Sequence, residues 1–331
     1  MTMKFNRIIF ATLAAAVLIC CKKKDDDTIT PSLNGNLSIT GLKEFVAPGE
    51  TLSLSAKGVT HPTGGTLSYT WKVNPTAPTA QTGVNYEITF TDTLQTCTVT
   101  CSVSADGYSG KSMSSFVTVV KGGKDGSIKG LTFPEEKVTT EDGIYYIATI
   151  DRQTWTANNM AEKSSGIAYR NEDVMSDVLG RYYSYEEAKT VCEALGENWA
   201  LPSDEDWDTL SEYIKSQTST TGYGQTVAAA LMGDATFNGT TMWEFWPYDR
   251  QEQTGVGDIT NASLFGAIPS GFANMATKTF TGVYEYAAFW TSTEVDGKNA
   301  KYRYLICDEG DLFTATGDKN SFGASVRCIR K

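Results

Sequence analysis

The chain has 331 residues, with 28 Lys or Arg, 39 Asp or Glu and one His, so its formal net charge at pH 7 is −11. Nucleic-acid binding needs clustered basic side chains that neutralise phosphates, so we expect no nucleic-acid partner for a chain this acidic. The length suits two domains, or three, each with its own core.

The first residues have the pattern of a secretion signal. A positive start at Lys4 precedes an apolar run over residues 8–19, and Cys20 and Cys21 end this run ahead of a Lys-then-Asp segment. The run is too short for a stable membrane-spanning helix, which needs about 20 apolar residues. We therefore predict that residues 1–20 are a signal peptide.

The end of this run resembles the lipobox of bacterial lipoproteins. The resemblance implies that cleavage leaves Cys21 as the acylated N-terminus; cleavage before Cys20 would place the bulky Ile19 where a small residue is expected. Several acyl chains on one residue give stable anchoring. Loss of residues 1–20 removes two basic residues and no acidic ones, which changes the formal charge from −11 to −13.

The charged segment after the cysteine resembles the surface-export signal of Bacteroidota lipoproteins. Residues 21–35 contain few apolar side chains and are also typical of a solvated, disordered tether, and both interpretations can hold together. We expect an outer-membrane lipoprotein, anchored by its N-terminal lipid and facing the cell exterior.

Residues 36–121 are typical of an antiparallel β-sandwich. Short runs with strand-like alternation recur between Gly and Pro turns, without helical periodicity between them. These runs cover residues 51–56, 67–73, 86–90, 97–105 and 116–120. The segment resembles PKD-like and other bacterial immunoglobulin-like domains, through the generic patterns at residues 67–73 and 99–108.

Cys97 and Cys101 lie on one face of a predicted strand, because successive side chains alternate. Four strand residues separate them by roughly 13 Å, beyond the limit of about 7 Å for a disulfide. We predict buried thiols. His61, the only histidine, precedes Pro62 in a predicted turn, so we expect no metal site here.

Residues 122–140 predict a linker, because Gly122–Gly126 is glycine-rich and typical of a flexible hinge. A second domain is expected over residues 141–331, where six of the seven tryptophans lie beyond residue 150. Its entrance reads as two strands, at residues 143–150 and 154–160.

Two helices follow with clear start signals. Ser184 and Glu187 form one predicted capping box, and Ser203 caps the next helix together with Asp206. Strands are predicted around residues 289–293, 301–307 and 325–329. Helices beside an antiparallel sheet make this domain α+β.

Seven short motifs of this region occur in the order of one family. They are Asp142-Gly143, Gln153-Thr-Trp155 with Asn158-Asn159-Met160, Gly180-Arg-Tyr-Tyr183, Trp199-Ala-Leu-Pro202-Ser-Asp-Glu-Asp-Trp207, Phe265-Gly-Ala-Ile-Pro269-Ser-Gly271, Phe289-Trp-Thr-Ser-Thr293 and Ser325-Val-Arg327-Cys328. Residues 141–331 thus resemble the Fibrobacter succinogenes major paralogous domain. The resemblance implies a C-type-lectin-like fold, related to formylglycine-generating domains. The whole chain would be an all-β immunoglobulin-like sandwich followed by an α+β C-type-lectin-like domain.

The resemblance also implies a disulfide. A C-type-lectin fold bridges its first helix to its last strand, which here implies Cys192 with Cys328; Cys307 with Cys328 is the alternative. Cys192 departs from the family pattern, because it lies seven residues before Trp199, where the family places its cysteine three residues before that tryptophan.

We expect no catalysis and no cofactor. The closely spaced cysteine pair of formylglycine-generating relatives is missing, and the absence of histidine after residue 61 excludes Ser-His-Asp chemistry and His-bound zinc from the second domain. Paired carboxylates could still hydrolyse a glycoside. The candidates have no diagnostic spacing: Glu244, Asp249, Asp308, Glu309 and Asp311.

Acidic and aromatic residues supply the binding candidates. Asp308, Asp311 and Asp318 could offer oxygen ligands to calcium, but an acidic, glycine-containing turn between two strands is the preferred explanation. An aromatic surplus points to a ligand surface for a glycan or another surface protein. The candidates are Trp243, Trp246, Tyr248, Arg250, Tyr302 and Tyr304. The alternative function is a structural one, in a fimbria-like or outer-membrane assembly.

Overall fold

The computed structural model describes residues 30–75, 77–218, 222–243 and 255–331. The chain divides into two compact units. The first holds the described residues up to Glu44 together with Pro48–Val119, and the second holds Phe45–Ala47 and Val120–Lys331. Most of the regular structure is β-strand. Within the described ranges, we find no helix whose length and apolar character would let it cross a membrane.

The first eight strands precede residue 120. They are β1 Asn34–Thr40, β2 Phe45–Val46, β3 Thr51–Thr60, β4 Ser68–Asn74, β5 Ala77–Thr82, β6 Asn85–Thr89, β7 Thr96–Ala105 and β8 Tyr108–Val119. In the first unit, one antiparallel sheet has the order β1-β3-β6 and a second contains β8, β7, β4 and β5 in that order.

The two sheets of the first unit share a core because their strands alternate. In β7, the side chains of Cys97, Val99, Cys101 and Val103 are buried, and the Thr and Ser residues between them face outward. Trp71 of the second sheet stacks on Tyr86 of the first, with ring centroids 5.6 Å apart. The two cysteines are buried and not bridged, which confirms the predicted buried thiols.

The remaining elements belong to the second unit. In chain order they are β9 Ile128–Lys129, β10 Lys137–Thr139, β11 Ile144–Ile150, β12 Gln153–Thr156, β13 Ile167–Ala168, α1 Ser176–Leu179, β14 Arg181–Tyr182, α2 Tyr185–Val191, β15 Trp199–Ala200, α3 Asp204–Gln217, α4 Val227–Leu231, β16 Thr236–Phe237, β17 Thr240–Thr241, β18 Phe272–Asn274, β19 Thr279–Thr281, β20 Tyr286–Glu294, β21 Asn299–Ile306, β22 Phe313–Asp318, β23 Phe322–Gly323 and β24 Ile329–Arg330. Short 3-10 turns occupy Tyr169–Asn171, Asp173–Met175 and Cys192–Leu195.

The segment predicted as a linker, residues 122–140, is part of the second unit. The N–H of Ser127 donates to the carbonyl of Lys121 at 2.7 Å, and β9 pairs with β16. A side chain at Gly122 would collide with the carbonyl oxygen of Asp177. Glycine is therefore needed here for close packing, and the prediction of a flexible hinge is wrong.

Both predicted capping boxes are present. Ser184 with Glu187 begins α2, and Ser203 with Asp206 begins α3, so orphan N–H groups at each helix start are satisfied. The inner face of α3 carries Trp207, which packs beside Trp155 and Phe289 with ring centroids 4.8 and 5.4 Å away. The helix thereby closes one side of the core.

Candidate ligand-binding groove

The sheet formed by β20, β21 and β22 has two faces of different character. Ala287, Phe289 and Leu305 point inward and are fully buried. Arg303, on the same inner face, donates from Nε to Asp204 Oδ1 of α3 at 2.5 Å and from Nη2 to Asp208 Oδ1 at 2.7 Å. These contacts fix one face of the sheet to the helix. On the opposite face Trp290 and Ala300 are buried, whereas Tyr302 and Tyr304 are partly exposed.

Aromatic and small residues alternate across that opposite face. The register places Tyr304 between Ala288 of β20 and Phe313 of β22, and places Tyr302 beside Ala315. The two alanines leave a trough between the rings. The resulting groove has a volume of about 610 Å³. The described residues that line it are Phe272, Thr281, Tyr286, Ala288, Tyr302, Tyr304, Ile306, Asp308, Glu309, Phe313 and Ala315.

The rings of the groove support one another. Tyr304 stacks on Phe313 with centroids 5.4 Å apart and an interplanar angle of 25°. Tyr286 lies 6.2 Å from Tyr304, and Tyr302 lies 5.9 Å from Tyr304. Tyr302 is held from behind by Phe322, at 4.5 Å. These contacts restrict the ring rotamers, so the groove is formed before any ligand arrives.

The phenol hydroxyls of Tyr286, Tyr302 and Tyr304 make no hydrogen bond to any described residue, whereas those of Tyr182, Tyr183 and Tyr185 all donate to backbone carbonyls. Burial raises the pKa of Tyr302, and burial with the nearby Asp308 carboxylate raises that of Tyr286. The phenols of Tyr286 and Tyr302 are therefore protonated near neutral pH, and each tyrosine hydroxyl of the groove can both donate and accept a hydrogen bond.

The structure separates the predicted site residues into three groups. Tyr302 and Tyr304 lie in the groove, together with Asp308. Trp243 is only 1% exposed and its Nε1 donates to the carbonyl of Ala267 at 3.0 Å, so its prediction as a ligand contact is wrong. Cys21, Glu244, Trp246, Tyr248, Asp249 and Arg250 lie outside the described residues.

The three predicted calcium ligands do not converge. Asp308 follows the end of β21, whereas Asp318 pairs with Asn299 at the strand's other end. Asp318 Oδ1 instead accepts the N–H groups of Asn320 and Ser321, which lower its pKa to about 2. Across the described ranges, no group of three or more His, Cys, Asp or Glu residues is placed to hold a metal.

Three aromatic groove residues were missed by the sequence analysis: Phe272, Tyr286 and Phe313. Tyr286, Ala288 and Trp290 alternate with the same period as Tyr302 and Tyr304, so the sequence did contain a signal that these strands share a face. The pairing of the strands, which brings the two sets together, could not be read from the sequence.

The family model of the Fibrobacter succinogenes major domain matches residues 146–330, which is more than half of the chain. The chain belongs to this family. Among solved structures, it is similar to one titled "Structure of Yersinia pseudotuberculosis adhesin InvE", with 10% identity, 89% of this chain and 70% of that chain covered, and a TM-score of 0.23. That TM-score is too low to support a conclusion about fold or function. The comparison with curated proteins found no match.

Residues from three motifs of the Fibrobacter succinogenes major domain meet in one buried network. Arg327 is fully buried, and its guanidinium donates to Asn159 Oδ1 at 2.8 Å and to the carbonyls of Thr156, Phe265 and Gly266 at 3.1, 2.6 and 3.1 Å. Asn159 Nδ2 lies 3.4 and 3.3 Å from the hydroxyls of Ser270 and Ser325, which lie 3.0 Å apart. The motif residues therefore join distant segments within the core.

The network leaves Arg327 without a described carboxylate partner. Burial lowers its pKa to about 9, so it remains charged near neutral pH. The Cζ atom of Arg327 lies 4.6 Å from the ring centroid of Phe265 and 5.5 Å from that of Phe289, and these contacts add cation–π stabilisation. Its hydrogen bonds already occupy four donors, so we assign it a role in the fold.

The disulfide Cys192–Cys328 is present, with a Cα–Cα distance of 5.7 Å, and it joins residues 136 positions apart. This confirms the preferred pairing over Cys307 with Cys328. The bond ties the turn after α2 to the segment before β24, close to the Arg327 network in sequence. The Fibrobacter succinogenes major domain is thus held at one place by a covalent bond and by buried polar contacts.

A second cavity, of about 490 Å³, lies among residues that include Leu131, Phe133, Tyr145 and Ile268. Tyr145 is fully buried, and its hydroxyl donates to Glu162 Oε1 at 2.7 Å. The hydroxyl of Tyr145 is thus already engaged, in contrast to the tyrosine hydroxyls of the groove.

Proposed function

We propose that this protein is a lipid-anchored, surface-displayed outer-membrane protein that binds a glycan without catalysing a reaction. The glycan would bind in the groove lined by Tyr286, Tyr302 and Tyr304. The observation that carries the proposal is the set of three phenol hydroxyls in the groove that have no hydrogen-bond partner among the described residues. Such groups are available to a ligand at no cost in broken protein hydrogen bonds.

A glycan suits the chemistry of this groove. Aromatic rings pack against the apolar faces of sugar rings, and the phenols and carboxylates can bond to sugar hydroxyls. The volume of about 610 Å³ lies within the range of known ligand pockets, roughly 300–1,000 Å³. The mainly apolar lining with few polar groups has the composition expected for such a site.

The proposal includes the fold of both units. We propose an immunoglobulin-like sandwich for the first unit, supported by its two antiparallel sheets around Trp71. For the second we propose a C-type-lectin-like fold, supported by the bond between the α2 region and the last strand. In chain order, the first unit then lies between the proposed lipid anchor and the proposed binding unit.

The test is a glycan array probed with the unlipidated segment 22–331, with and without calcium. We expect specific sugar binding that does not require calcium. The variant Tyr302→Phe with Tyr304→Phe keeps both rings and removes both hydroxyls, so it should weaken that binding about tenfold or more. Thermal unfolding of this variant should match that of the native protein.

The control is Tyr108→Phe, which removes one phenol hydroxyl from the first unit and keeps the ring. It should bind as the native protein does. A folded native protein that binds no sugar, or a sugar signal that survives in the groove variant, would reject glycan binding in this groove. Crosslinking on the cell surface would then test the alternatives of protein recognition and assembly.

A further inference from the structure

The groove carries negative charge and no positive charge among the described residues that line it. Asp308 and Glu309 are exposed at one end, and neither forms an ion pair with a described basic residue. The N–H of Cys307 donates to the carbonyl of Glu285 at 3.0 Å, which brings a third acidic residue to the same end. Anionic ligands are therefore disfavoured.

The loop that carries the two carboxylates is held in place. The N–H of Glu309 donates to the carbonyl of Ile306 at 3.3 Å, and the carbonyl of Gly310 accepts the N–H of Ala228 at 2.9 Å. A side chain at Gly310 would lie 2.7 Å from Thr226 Cγ2, so the loop packs tightly against the start of α4. The carboxylates are thus presented on a fixed support.

Aromatic rings continue from this acidic end. Tyr286, Tyr304 and Phe313 form a row across the three strands, with successive centroids 6.2 and 5.4 Å apart. The faces of such rings carry partial negative charge and attract cations, ammonium groups included. Carboxylates and ring faces therefore both favour a positively charged ligand. The row of three rings is long enough for more than one ring-sized group.

We infer that the ligand of this groove is a glycan with free amino groups, whose ammonium is placed between the tyrosine rings and the carboxylates of Asp308 and Glu309. This inference rests on the proposed glycan-binding function and narrows it to amino sugars that are not N-acetylated. The sugar rings contact the row of Tyr286, Tyr304 and Phe313, and the phenols bond to their hydroxyls.

Two chito-oligosaccharides of six sugars test the inference, because one is fully deacetylated and the other fully N-acetylated. Titration calorimetry is performed with segment 22–331 at pH 5.5, where carboxylates are ionised and primary amines are protonated. We expect the deacetylated hexamer to bind at least tenfold more tightly. Asp308→Asn with Glu309→Gln should reduce this affinity about five- to tenfold, because each exposed ion pair contributes modestly.

The control is Asp92→Asn with Asp106→Asn, which removes the same amount of charge from exposed positions in the first unit. It should bind like the native protein. Equal losses in the two double variants would show unspecific attraction of a polycation to an acidic protein and would overturn the inference.

The two proposals fail in different ways. Equal or tighter binding of the N-acetylated hexamer would overturn the inference about the amino group and would leave glycan binding in place. If neither hexamer binds, the inference about amino sugars is also overturned, and the glycan array still decides whether the groove binds another sugar.

Discussion

Two polar regions of the second unit differ in how their hydrogen-bonding groups are used. Around Arg327, a fully buried guanidinium makes four hydrogen bonds, and Asn159 Nδ2 donates to the carbonyl of Leu179 at 2.8 Å. In the groove, three phenol hydroxyls have no described partner and two carboxylates have no described cation. The polar groups around Arg327 are hydrogen-bonded within the fold, whereas those of the groove remain available to a ligand.

This difference separates the motif residues of the family from the groove residues that would contact a ligand. Asn159, Ser270, Ser325 and Arg327 belong to the motifs, and all of them are buried. The groove residues Tyr302, Tyr304 and Phe313 lie outside those motifs, on the face of the sheet that does not contact α3. If the proposed function holds, substitutions in the groove therefore change the ligand that is bound while the network keeps the fold.

The largest effect is expected from Arg327→Met. Asn159 Oδ1 and three carbonyl oxygens lose their donor, which should lower the free energy of unfolding of the second unit by about 3–5 kcal/mol. Urea unfolding followed by tryptophan fluorescence measures this change. The control Arg330→Met removes an exposed guanidinium paired with Glu136 at 3.1 Å and should cost less than about 1 kcal/mol. Equal costs would show that burial does not distinguish the two arginines.

The next effect comes from the disulfide. Cys192→Ala with Cys328→Ala opens a loop of 136 residues, and the unfolded chain gains conformational freedom. The free energy of unfolding should fall by about 2–4 kcal/mol. The native protein treated with a reductant should unfold at the same urea concentration as the double variant. A variant as stable as the oxidised native protein would mean that the Arg327 network suffices without the bond.

A smaller effect should distinguish the groove from the core. Ala315→Leu fills the trough beside Tyr302 without changing any charge, so sugar binding should fall about tenfold while the unfolding free energy changes by less than about 1.5 kcal/mol. Thr314→Leu introduces the same side chain one residue earlier, on the other face of β22, and should bind normally. If both variants bind normally, the groove is not the binding site.

The smallest effect is a dependence of stability on pH. Burial would raise the pKa of Asp204, but hydrogen bonds from Arg303 and Lys301 outweigh it and lower the pKa below its ordinary value of 3.8. A lowered pKa stabilises the fold above the ordinary value, and this contribution is lost as pH falls through the folded pKa. Asp204→Asn should therefore show a smaller decrease in the urea midpoint between pH 5 and pH 3 than the native protein.

Local features of this chain could be predicted from its sequence because their causes are local. The capping boxes at Ser184 and Ser203 need only a hydroxyl and a carboxylate three residues apart, and the alternation around Cys97 needs only the geometry of a strand. The bond between Cys192 and Cys328 is different, since it followed from the family resemblance and not from the spacing.

The failed predictions concern long-range contacts. The glycines after residue 121 were interpreted as a hinge, because nothing nearby in sequence reveals that Gly122 packs against Asp177. Trp243 was interpreted as a surface residue for the same reason, since its partner is the carbonyl of Ala267. The groove required knowing which strands are neighbours, so only Tyr302 and Tyr304 among its aromatic residues were predicted.

The position of β24 has a consequence for how the second unit acquires its structure. This strand lies between β12 and the edge strand β15 of a five-stranded sheet, and the N–H of Cys328 beside it donates to Thr156 Oγ1 across 172 positions of sequence. Without residues 329–330, β15 has no strand that connects it to β12. Chains that lack residues 329–330 thus cannot complete this sheet, and its long sequence separations favour slow folding.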